Sequence, residues 1–128
     1  MRLDVRSLSE LSTTFNEAAT RLSGTITDFQ MFLDSLPGKV EAEVENKYTR
    51  LKYARNASNW GLLVPDDTSN LEDMWTPLTA SSVLVKCHAV SLFPALVSAM
   101  QDELTERIKL INDASNAMEK LKIKVFKS

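Results

Sequence analysis

The sequence predicts an all-α fold: an antiparallel bundle of four helices, two long and two shorter, forming one domain over residues 1–128. Three observations carry that expectation. Apolar residues recur every seven positions in both the first and the last third of the chain. Only three glycines and four prolines interrupt 128 residues, so turns should be few and the elements between them long. Apolar side chains make up 44% and charged ones 25%, the balance of a packed domain rather than a disordered chain.

The first element is expected over residues 4–36. Leu8, Phe15, Leu22, Phe29 and Leu36 stand seven apart, with Leu11, Ala18, Thr25 and Phe32 as the companion column and Ile26 and Leu33 flanking it. One stripe of a helix facing another helix has this spacing. Gly24 falls off the stripe and costs about 1 kcal/mol against alanine. Serines and threonines crowd the outer face, so packing must hold this helix where propensity does not. Leu36-Pro37-Gly38 ends it.

A second helix is expected over residues 39–57, on the stripe Val40, Val44, Tyr48, Leu51 and Ala54, with Glu43 and Lys47 as a favourable i,i+4 pair. Residues 59–70 read as a loop. Ser69 and Glu72 have the spacing of a capping box, which would open a short helical turn over 70–75. Thr76 and Pro77 then suit a cap and a first helical position.

The segment 76–125 carries the longest repeat: Val83, Val90, Val97, Leu104, Ile111, Met118 and Val125. The column three further on is mixed: Lys86, Phe93, Met100, Arg107, Ala114 and Leu121. Pro94 lacks an N–H, and its ring clashes with the carbonyl four residues back. The segment is therefore either one helix kinked at Pro94, joining the last two, or two helices parted near 91–94 with Ser91 as a cap. The ends, 1–3 and 126–128, should fray.

Function enters through a mismatch of lengths. The first helix should span about 50 Å and the last about the same, while the middle ones reach only about 30 and 20 Å. The short helices cannot cover the whole seam of the long pair. Leu8, Leu11 and Phe15 at one end, and Ile111, Met118 and Leu121 at the other, should lack partners within the chain, and exposed apolar area on that scale marks a protein contact site. Arg107 sits on the same seam, either to pair with an acid of a partner or to reach the surface. Trp60, Leu62 and Leu63, apolar residues in an expected loop, are either a docking element or a plug over the end of the bundle. The expected function is thus non-catalytic: a helical interaction or assembly protein, an adaptor, working as a homo-oligomer or as one subunit of a complex with a protein partner.

Two alternatives come from other stretches. Lys47, Arg50, Lys52 and Arg55, interleaved with Tyr48 and Tyr53, could grip phosphates and stack bases, although Glu41, Glu43 and Glu45 balance them and the net charge of −2 gives no global field toward nucleic acid. Residues 82–100 are the most apolar stretch and could serve a membrane-active protein, but Lys86, His88 and Pro94 suit a buried core helix better than a span.

Chemistry is sparse. Cys87 and His88 are adjacent and would point about 100° apart on a helix, which suits neither a shared metal ion nor a thiol–base pair. No Glu-x-x-His spacing and no glycine-rich phosphate loop is present. No catalytic residue, metal, cofactor or small-molecule substrate is expected. Asn56-Ala57-Ser58 has the form of a glycosylation acceptor but carries no weight without a secretion signal. The N-terminus has no apolar core of a signal peptide, and one cysteine excludes an internal disulfide framework. Together these read as an intracellular, soluble chain.

Overall fold

The computed structural model describes residues 4–66 and 74–126, the side chains of Ile123, Val125 and Phe126 excepted. The chain is α+β, not all-α, which overturns the predicted helical bundle and coiled coil. Helix α1 (Val5–Asp34) leads into strands β1 (Ala42–Glu45), β2 (Arg50–Asn56), β3 (Asn59–Pro65) and β4 (Trp75–Pro77). A single 3₁₀ turn (Leu78–Ala80), helix α2 (Val83–Val90) and helix α3 (Phe93–Phe126) follow. The strands form an antiparallel meander in the order β1-β2-β3-β4. The expected capping box at Ser69 and Glu72, most of the expected helical turn over 70–75, and residues 1–3, 127 and 128 lie outside the described residues.

The middle of the chain forms strands because it alternates. In Val40-Glu41-Ala42-Glu43-Val44-Glu45 every second residue is apolar, and these turn inward while the glutamates face out. The predicted stripe Val40, Val44, Tyr48 took a spacing of four for a helical turn, but four is also two strand repeats. Asn46 then closes the hairpin: its Oδ1 accepts from the Tyr48 and Thr49 backbone N–H groups, both at 2.9 Å. Glu43 does not pair with Lys47 along a helix; across the hairpin it meets Arg50, at 2.9 Å.

β2 and β3 pair from Lys52↔Leu63 to Asn56↔Asn59, leaving Ala57-Ser58 as a two-residue turn. The predicted loop 59–70 is therefore β3 over its first half. Thr76 and Pro77 close β4 instead of opening a helix, and Pro77 sits on the edge strand, where a missing N–H is tolerated. Ser82 caps the next helix, its Oγ accepting from Val85 N at 3.3 Å.

One face of the sheet carries Leu51 and Tyr53 from β2 and Leu62 and Val64 from β3. The C-terminal half of α1 covers it with Ile26 and Leu33, and the α2–α3 junction with Ala89, Leu92, Leu96 and Met100; Leu78 completes the core. α3 lies along β1 and β2, and α1 along β3 and α2. The two long helices meet where Phe29 stacks on Phe93, ring centroids 4.2 Å apart.

Pro94 parts two helices. α2 ends at Val90 and α3 starts at Phe93, bent 53° from it. Pro94 falls in the first turn of α3, where no intrahelical acceptor is lost. Ser91 is the C-cap of α2, its hydroxyl donating to the His88 carbonyl at 2.7 Å.

Ala57 has φ 59°, the left-handed region. A side chain there costs on the order of 1 kcal/mol, and glycine does not incur that cost. Ala57→Gly is expected to stabilise the fold by about 1 kcal/mol in denaturant titration; an unchanged or lower midpoint contradicts this turn.

Candidate functional site

The described surface offers three places to look: the free halves of the long helices, a cation–aromatic cluster on the outer sheet face, and a polar cleft beside the β2–β3 turn. The helix halves are the largest. From residue 8 to 18 of α1, and from 105 to 122 of α3, every residue is exposed. Leu8, Leu11 and Phe15 are 68, 65 and 63% exposed, and Ile111, Met118 and Leu121 are 63, 55 and 51% exposed. Val5, Ile108 and Leu110 extend the same surfaces.

The spacing explains how α1 serves two masters. Leu8, Leu11, Phe15, Ala18 and Leu22 step by three and four in turn. From Leu22 the chain steps by four again, to Ile26, and then to Phe29, Leu33 and Leu36. Two consecutive steps of four rotate the apolar stripe around the helix. The rotated stripe faces the sheet, whereas Thr25 and Phe32 of the predicted companion column are exposed. The first half of α1 is left with an apolar stripe that nothing among the described residues covers.

The free half of α1 is a weak helix by itself. Thr13, Thr14, Thr20 and Thr25 of α1 turn their hydroxyls back onto carbonyls four residues earlier, at 2.9–3.1 Å. Such residues contribute little to helix formation, and isolated helices of under about 15 residues are marginal in water. Arg107 does not enter a seam. It is exposed and bonded to Glu103 one turn earlier, Nε to Oε1 3.1 Å.

The apolar residues of the predicted loop sit in β3. Leu62 is fully buried and Leu63 nearly so, both in β3, which removes them as docking contacts. Trp60 is half-buried and stacks on Tyr53 at 5.4 Å. The predicted basic face also divides. Arg50 and Lys52 share the outer face of β2 and lie over the Trp75 ring, at 4.8 and 4.0 Å. Arg55, odd-numbered on the same strand, points to the other face, and Lys47 sits over Tyr48 in the hairpin turn at 4.9 Å.

Cys87 is exposed on α2. His88 stacks on Tyr48 with centroids 4.2 Å apart. Asn46 Nδ2 donates to the His88 carbonyl at 3.2 Å and to Ser91 Oγ at 3.3 Å, so the hairpin turn braces the α2–α3 junction. Among the described residues no three His, Cys, Asp or Glu side chains gather to hold a metal ion.

The polar cleft, about 490 Å³, is lined by Gln30, Asp34, Lys39, Ser58, Asn59 and Trp60. Two of its polar groups are committed to the fold. Gln30 Oε1 accepts from Leu62 N at 3.2 Å, and Asp34 Oδ1 accepts from the Tyr53 hydroxyl at 2.6 Å. No helix among the described residues is alone long and apolar enough to cross a membrane. The apolar stretch 82–100 is bent at the α2–α3 break, and its Ala89, Leu92, Leu96 and Met100 are used in the core.

Compared with protein-family models, curated proteins and solved structures, the chain matches none.

Burial, reinforced by the neighbouring Asp34 carboxylate, pushes the Tyr53 hydroxyl well above its ordinary value. The folded chain then keeps this proton at a pH where the unfolded chain has lost it. Stability from Tyr53 is intact below about pH 10 and declines as pH rises past it. Tyr53→Phe is expected to cost about 1 kcal/mol at neutral pH and to flatten the alkaline decline; an alkaline profile identical to wild type contradicts this assignment.

Proposed function

We propose that this chain is a non-catalytic contact protein: a small α+β body carrying two helical arms whose apolar stripes are covered by another protein surface. It works as a homo-oligomer or as a subunit of a complex, and its site is the pair of stripes centred on Leu11 and Phe15 in α1 and on Ile111 and Met118 in α3. The observation that carries the reading is the exposure of these large apolar side chains at helical spacing on both arms. Leucine, phenylalanine and isoleucine at that spacing are what one helix offers another. The low helix propensity of the first arm adds a reason for a partner: packing must supply what local sequence does not.

Nucleic-acid binding finds less support, because the four basic residues do not share a face and two of them are held over Trp75. An intracellular setting belongs to the same reading, supported by the single exposed thiol.

If the stripes are uncovered within one chain, removing their side chains leaves that chain's folding unaffected. Leu11→Ser and Ile111→Ser are expected to change stability by less than about 0.5 kcal/mol where the protein sediments as a monomer. Leu96→Ala, in the core, should cost about 2–5 kcal/mol in the same assay. A cost of core size at Leu11 or Ile111 in the monomer means the chain shelters its own stripes, and the reading fails.

A further inference from the structure

The two stripes fit each other. Laid antiparallel, with the free tips at one end, Leu11 of α1 comes opposite Met118 of α3, and Leu8 opposite Leu121. The next two layers place large against small in alternation: Phe15 against Ala114, then Ala18 against Ile111. Interdigitation of this kind is how facing helices reach interior packing density. In the same register Glu10, already paired with Arg6 at 3.5 Å, lies opposite Glu119, so the fit is one of apolar shape and not of charge. Arg107, bonded to Glu103 at the surface, falls opposite Leu22, at the body end of the seam.

The chain does not make this pairing with itself, since the side chains of both free halves are exposed. The two helices touch near Phe29 and Phe93, close to the sheet. We propose that the occupant is a second copy of this chain: α1 of each protomer lies antiparallel along α3 of the other, so that two copies close both seams by a two-fold exchange. This rests on the contact-protein reading and names its partner.

Area supports a pair of copies. At ordinary side-chain sizes, the exposed apolar residues of the two stripes present about 1,000 Å² per copy. Two copies would hide up to about 2,000 Å², against about 1,600 Å² for a typical stable interface. A two-fold arrangement also leaves no open end to propagate, because each protomer gives one arm and receives one.

The experiment uses the full chain with Cys87→Ser, an exposed position, so that introduced thiols are the only ones. One sample carries Leu11→Cys and a second carries Met118→Cys. Mixed under mild oxidation, they are expected to give a disulfide-linked pair of unlike copies, while neither alone links efficiently. In sedimentation, Ala114→Phe should weaken self-association at least tenfold, and adding Phe15→Ala should recover most of that loss, a readout that mere exposure of the residues would not produce. A chain that stays monomeric to hundreds of micromolar, with no link between copies, overturns the proposed partner but leaves the contact reading standing. A chain carrying both cysteines that links within itself at monomer mass overturns both.

Discussion

The sheet is shorter than the helices it must hold, and most of the structure follows from that. Its longest strands have seven residues, about 23 Å, and its outer strands only four and three. The helices α1 and α3, of 30 and 34 residues, run about 45 and 50 Å. However they cross the sheet, roughly half of each has none of the described residues beneath it. The covered halves form the core through Ile26, Leu33, Leu96 and Met100; the uncovered halves carry the same kinds of residue into water. Burying an apolar side chain is worth about 1.5–3 kcal/mol, so this arrangement leaves a large driving force unspent within one chain.

The core works as a clamp at the base of both arms. Tyr53, fully buried and bonded to Asp34, ties β2 to the last turn of α1. Gln30 ties the same helix to β3 through Leu62, and Asn46 ties the first hairpin to the α2–α3 junction. Each is a side chain bonded to a distant element, and together they fix where the arms leave the body. Rigid roots matter for a surface made of arms, because ordering them at the moment of contact would otherwise oppose binding.

The ends of the chain were legible in sequence and the middle was not, for a definite reason. Seven-residue spacing over 30 residues has no strand interpretation, so α1 and α3 could be found. Between them, Val40, Val44 and Tyr48 satisfy a period near 3.6 and a period of two alike, and the charge alternation Glu41, Glu43, Glu45 is what decides for strands. The scarcity of glycine does not mean few turns, since Asn46 and Ala57 make turns without it. The exposed stripe residues were readable from length mismatch, although a short sheet, not short helices, leaves them bare. Leu62 and Leu63 are not legible as strand residues because Trp60-Gly61-Leu62-Leu63-Val64-Pro65 does not alternate. The basic run divides because strand parity sends Arg50 and Lys52 to one face and Arg55 to the other. The rotation at Leu22, where α1 changes from a free stripe to a covered one, lies in plain view as two successive steps of four.

Helix content measured by far-ultraviolet circular dichroism, as the full-length protein is diluted from hundreds of micromolar to below micromolar, bears most directly on whether the arms depend on another molecule. The threonine-rich first half of α1, uncovered on its apolar side, should melt once the partner dissociates, so the signal per residue should fall on dilution while the near-ultraviolet signal of buried Tyr53 persists. A dilute monomer that keeps its full helix content would show that the arms stand unaided, and would contradict the dependence of the arms on a partner.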